Sequence, residues 1–145
     1  MNNVALVIST FDKSKDLWFP LEKTYQKYWS DIDFPIYLTT NHEVFENRSF
    51  KSLTVGDEIS WSDNMIKSLN KISENYIFLT FDDLFLTEKV DNTLVKKIIK
   101  RALDNDFNYL QLYRSISSGR RVDKLLFEKS STTLYKNSTI WSFWK

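Results

Sequence analysis

The chain has 145 residues, 20 Lys+Arg against 19 Asp+Glu for a formal charge of +1, and only 2 Gly, 2 Pro, 1 His and no Cys. Those counts exclude a disulfide framework, a Cys-rich zinc site, a thiol nucleophile and a histidine-cluster metal site, and any Ser-His-Asp triad would have to run through His42. Gly56 and Gly119 stand too far apart for either glycine-rich phosphate cradle, and the even charge balance gives no footprint for nucleic acid.

With 42% hydrophobic and 16% aromatic residues, the composition is that of a folded chain, and the length fits one domain over residues 1–145. Val4-Ala5-Leu6-Val7-Ile8 is apolar without alternation, as in a strand buried on both faces of a parallel sheet, and it ends in Ser9-Thr10-Phe11-Asp12. Trp18, Leu21, Tyr25, Tyr28 and Trp29 then recur at helical spacing, and Pro20 places the helix start near Trp18 or Phe19. Pro35 to Thr40 reads as a second strand ending at Asn41. A loop through His42 and a weaker strand over Phe50 to Val55 follow.

Ser60 with Asp63 resembles a capping box, and the stripe of Trp61, Met65, Leu69 and Ile72 predicts a helix from about Trp61 to Ser73. Trp18, Trp29 and Trp61 are expected in the core as members of helix stripes. Tyr76 to Phe81 is the clearest strand and runs directly into Asp82-Asp83. Asp91 or Asn92 caps a third helix carrying Leu94, Val95, Ile98, Ile99 and Ala102, and Asn108 to Tyr113 gives one more strand. Beyond Arg114 the pattern weakens to a loop over Ser115 to Gly119, two short strands over Val122 to Phe127 and Thr132 to Lys136, and an aromatic end at Trp141-Ser142-Phe143-Trp144.

This alternation predicts an α/β domain: an open, mostly parallel sheet with helices on both faces and a short irregular or antiparallel C-terminal part. No apolar run approaches a membrane span and the N-terminus lacks a basic leader, so no transmembrane segment is expected. A cytoplasmic protein is the simplest inference, and the lack of cysteine agrees; peripheral membrane association stays open.

In open α/β sheets ligands bind beyond the carboxyl ends of the strands, which selects Ser9 to Asp12, Asn41, Gly56 to Glu58, and Asp82-Asp83. Adjacent carboxylates in a regular strand point to opposite faces, so only a bend at the strand end brings Asp82 and Asp83 to one site. With no Cys and one His, their oxygen ligands select Mg2+ or Mn2+, ions that bind through one or two carboxylates plus substrate phosphates. A pair of solvated turn aspartates is the alternative. Lys67 on the Trp61 helix, and Lys13 and Lys15 after the first strand, are cations available to a diphosphate; each also reads as an ordinary surface lysine.

Val4 to Thr10, the helix with Trp61, and above all Tyr76-Ile77-Phe78-Leu79-Thr80-Phe81-Asp82-Asp83-Leu84-Phe85-Leu86 resemble the nucleotide-sugar domain of GT-A-type glycosyltransferases, notably bacterial enzymes that build surface polysaccharides. The resemblance runs from residue 4 to about 113 and more faintly over Leu134 to Trp144. It implies that Ser9, Thr10 and Asp12 lie near the nucleotide and Asn41 near the base. Asp82 and Asp83 take the last two places of an Asp-x-Asp motif that carries metal and sugar-nucleotide diphosphate, with Asp83 the first metal ligand and Asp82 beside it. Phe81 stands where the motif has its first Asp, a departure that bears on ribose recognition more than on metal.

The implied partners are a nucleotide-sugar, with Lys67 kept among its candidate ligands, and a glycan or lipid-linked acceptor. The implied cofactor is Mn2+ or Mg2+. Relatives are longer, so the acceptor half is either missing, supplied by another chain, or reduced. Neither Asp123 nor Glu128 is marked as a catalytic base. Trp141 and Trp144 are expected to cover the sheet, line a sugar site or form an oligomer interface. Two other readings stand beside the transferase: a non-catalytic relative that binds sugar or protein, and a Mg2+-dependent phosphoryl-transfer enzyme with an Asp nucleophile.

Overall fold

The computed structural model describes residues 3–112, 119–121, 127–129 and 141–145. Strand β1, Val4–Ser9, is buried at every position, as an apolar run without alternation requires of a central strand. A 3-10 turn over Asp12–Ser14 leads into α1, Lys15–Tyr28, which buries Trp18, Leu21, Glu22 and Tyr25. This corrects the expected start near Trp18, because Pro20 lies inside the helix. The proline removes the N–H that would have met the Asp16 carbonyl, and both residues are exposed, so water can donate to that carbonyl in place of the missing N–H.

Strands β2, Ile36–Thr40, and β3, Phe50–Thr54, follow the expected pattern. Helix α2, Trp61–Leu69, starts at the capping box, where the Ser60 side chain accepts from the Asp63 backbone N–H. It ends short of the expected Ser73. Past its C-cap the chain continues in tighter turns, with Lys71 N donating to Ser68 O at 3.0 Å and Ile72 N to Leu69 O at 3.3 Å. Ile72 still packs against the sheet, so the apolar periodicity outlasts the helix.

Strand β4, Tyr76–Phe81, and helix α3, Asn92–Asp104, capped by Asp91, match the sequence reading. The remaining strands are β5, Tyr109–Gln111; β6, Gly119–Arg121; β7, Phe127–Lys129; and β8, Ser142–Trp144. β6 pairs with β7 in an antiparallel ladder. The expected pairing of Val122 to Phe127 with Thr132 to Lys136 falls largely outside the described residues.

The main sheet has six strands in the order β3-β2-β1-β4-β8-β5. β3, β2, β1 and β4 run parallel, and β8 lies antiparallel between β4 and β5. The fold is therefore the expected mostly parallel α/β sheet. Its C-terminal part is an inner strand rather than an appendage.

Pleat alternation divides the core. Val4, Leu6, Ile8, Tyr76 and Phe78 cluster with Trp18, Leu21 and Tyr25 of α1 and Ile99 and Ala102 of α3, whereas Val7, Ile77 and Leu79 cluster with Met65 of α2. Helices thus cover both faces, and the central strands carry apolar side chains on each. The C-terminal aromatics take the first of their three expected uses. The Trp141 ring lies 6.1 Å from Trp29 and 6.5 Å from Tyr25, Phe143 packs at 4.9 Å on Phe78, and Trp144 lies 4.5 Å from Tyr109. Among the described residues no helix is long and apolar enough to cross a membrane.

Candidate functional site

The chain winds outward from β1 through β2 to β3, then returns to add β4 on the other side of β1. The crevice between the carboxyl ends of β1 and β4 is thus the topological switch point, where open α/β sheets bind ligands. In register, Ser9 stands beside Phe81, so Thr10 and Asp82 are the first residues beyond the two strands.

At that point β4 bends. Asp82 N still donates across to Ser9 O at 3.3 Å, and Leu84 N donates to Phe81 O at 3.2 Å, closing a turn with Asp82 and Asp83 at its centre. The bend releases the two carboxylates from strict strand alternation. Asp82 is half-buried and Asp83 exposed.

Asp82 is anchored. The Thr10 hydroxyl donates to Asp82 Oδ2, and Thr10 Oγ1 accepts from Trp18 Nε1 at 2.9 Å. A hydroxyl has one proton, so the incoming indole N–H leaves that proton for the carboxylate. The Thr10 backbone N–H in turn donates to Thr39 Oγ1 at 3.0 Å. Trp18 is a core residue, as expected, but its polar edge reaches the site.

Asp12 and Asn41 form a neighbouring group over the β2 side. The Asp12 carboxylate accepts from the backbone N–H groups of Asn41 at 2.8 Å, His42 at 2.9 Å and Glu43 at 3.2 Å. Burial pushes the Asp12 carboxyl up, but the N–H groups of His42, Asn41 and Glu43 and the charge of His42 outweigh it and hold the group below its ordinary range. Asn41 Oδ1 accepts from Asp12 N at 3.3 Å and its amide donates to Gly56 O at 3.1 Å. Gly56 has φ +79°, a left-handed conformation that suits glycine. Lys67 Nζ donates to Asp57 O at 3.3 Å and His42 Nε2 pairs with Asp57 Oδ1 at 2.9 Å. Ser9, Thr10 and Asp82 are therefore brought together, while Asp12, Asn41 and Lys67 stitch the loops after β1, β2 and β3.

Trp61 is the largest correction at the site. Expected in the core, it is 48% exposed. Its Nε1 donates to Ser9 Oγ at 2.9 Å and its ring stacks on Phe81 with centroids 6.3 Å apart. The capping box carried the missed signal: it fixes Trp61 as the first helical residue, hence at the strand-end side of α2.

The donors at the turn are oxygens only, which suits a divalent ion held by one or two carboxylates and completed by phosphate oxygens and water. An all-protein cage is a different case. Among the described residues no group of three or more His, Asp or Glu side chains is placed to form one.

The mixed α/β architecture, with its six-stranded and mostly parallel sheet, is consistent with a GT-A-like fold. Two solved structures of the glycosyltransferase TarS from S. aureus are similar to it. One matches with a TM-score of 0.58 at 11% identity, over 97% of this chain and 28% of that one. The other, of TarS 1-349, matches with a TM-score of 0.53 at 10% identity, over 84% of this chain and 38% of that one. At these identities the likeness is one of fold, and the chain spans well under half the length of either structure. No family model matches the sequence, and no curated protein does.

Proposed function

We propose that this chain is the donor-binding domain of a glycosyltransferase that takes a sugar from a nucleotide-sugar to a glycan or lipid-linked acceptor with Mn2+ or Mg2+. The observation that carries the reading is the bend after β4, which sets Asp82 and Asp83 at the switch point beside Ser9 and Thr10. The likeness of fold to TarS, a glycosyltransferase, supports it.

Asp83, exposed and without a side-chain partner among the described residues, is the first ligand for the ion, and Asp82 Oδ1 the second. When bound, the ion neutralises charge developing on the departing nucleoside diphosphate. The chain's own part is positioning. Thr10 and Trp18 hold Asp82 through Oδ2, so its other oxygen is presented in a fixed orientation and little ordering remains at binding. Asp12 and Asn41 keep the loops after β1 and β2 closed, shaping the nucleotide side of the crevice.

Thermal shift with a nucleoside diphosphate is the test. At a hundredfold excess over Kd, binding adds about 2.7 kcal/mol, a rise in Tm on the order of 5–10 °C for a chain of this size. The rise is expected only with Mn2+ or Mg2+ present and is lost in Asp83→Asn. Shifts of equal size with and without metal, or in wild type and Asp83→Asn alike, would contradict the assignment.

A further inference from the structure

Trp61 sits at the first position of α2 with almost half of its surface exposed, although burying an indole is among the most favourable things a chain can do. It is not loose. Its Nε1 is tied to Ser9 Oγ at 2.9 Å, its ring lies against Phe81 at an interplanar angle of 24°, and its backbone belongs to a helix turn capped by Ser60. Both partners are the last residues of their strands, and those strands flank the switch point. Asp82 follows Phe81 directly. Three restraints therefore hold an open aromatic surface at the edge of the crevice where the carboxylates stand.

We propose that Trp61 is a stacking platform for a ring of the bound nucleotide-sugar, a conclusion that rests on the donor-site reading above. The chemistry it selects is a flat or apolar ring face, supplied either by the nucleobase or by the transferred sugar. Ser9 fixes the platform: its buried hydroxyl accepts the indole N–H and sets the orientation of the ring. Trp61 thus contributes to affinity and to choice of ligand without touching the metal ligands.

The test is calorimetric titration, with Mn2+, of uridine and guanosine diphosphates and of a hexose conjugate of whichever binds, into wild type, Trp61→Phe and Trp61→Ala. Trp61→Ala is expected to weaken binding about tenfold, with Trp61→Phe within about threefold of wild type. A loss already present with the diphosphate assigns the base, and a loss confined to the conjugate assigns the sugar; either supports the platform. Equal affinity of wild type and Trp61→Ala for both ligands overturns it. If Trp61→Ala fails to fold, Trp61→Leu, which keeps apolar bulk without a flat ring, carries the same expectation and the same refutation. Wild type that binds none of the ligands would sink the donor-site reading itself, and the platform with it, an outcome distinct from unaltered binding by the variants.

Discussion

Asp12 is the residue whose task changes most between sequence and structure. Its position after β1 resembles a nucleotide ligand, yet its carboxylate is filled by three backbone N–H groups from the loop after β2. Hydrogen bonds to a charged acceptor contribute about 1.5–3 kcal/mol each at most, and removing a shared acceptor leaves its donors unsatisfied. Asp12→Ala is therefore expected to lower stability by about 2 kcal/mol in urea unfolding, with Asp12→Asn losing less. Because the folded carboxyl is held below its ordinary value of 3.8, this contribution is present above about pH 4 and fades as the pH falls below 3.8. A Tm-pH profile of Asp12→Ala should therefore converge toward wild type in acid. Parallel profiles would show that the carboxylate charge does not matter. None of this was legible in the sequence, since the donors lie in a loop distant along the chain. Asp82-Asp83, by contrast, was legible because an acidic pair closing an apolar strand is a local pattern. Its anchor is not: Thr10 reads as a residue near the nucleotide and Trp18 as a core residue, and nothing local joins them until α1 lays the indole edge against the end of β1.

The elements with a continuous local signal, β1, β4 and α3, are legible in the sequence because their apolar runs and caps are self-contained. The boundaries of α1 and α2 are not, because exposed Pro20 is tolerated inside one helix and tighter turns extend the apolar stripe of the other. β8 is the element whose importance the sequence most understates. Three residues at the end of a weak segment insert between β4 and β5, with Phe143 fully buried against Phe78 and Tyr76. No local pattern announces an antiparallel partner for a parallel strand far upstream. Phe143→Ala should cost about 3–5 kcal/mol, whereas Trp144→Ala, at a half-buried position, should cost clearly less. Denaturant midpoints decide: equal losses would mean that β8 is not the inner strand. Asp91→Ala, which removes the acceptor for Leu94 N at 3.0 Å, should cost about 1 kcal/mol.

At the scale of the whole molecule, strand order creates the site. The reversal between β1 and β4 leaves their carboxyl ends open, and Ser9, Thr10, Phe81 and Asp82 converge there from distant parts of the chain. The sequence locates strand ends without ordering the strands, so it does not show which candidates meet. In the structure Thr10 bonds to Asp82, while Asp12, Asn41 and Lys67 bond across the loops after β1, β2 and β3. The structure also moves Trp61 from the expected core to the crevice rim. The most direct test of the central claim is a crystal structure of the chain with Mn2+ and the nucleoside diphosphate that binds it, recorded with anomalous diffraction. The account predicts a manganese peak at coordination distance from the Asp83 carboxylate, with the diphosphate lying beyond the ends of β1 and β4. A manganese ion and diphosphate bound away from that turn, with Asp83 free, would contradict it.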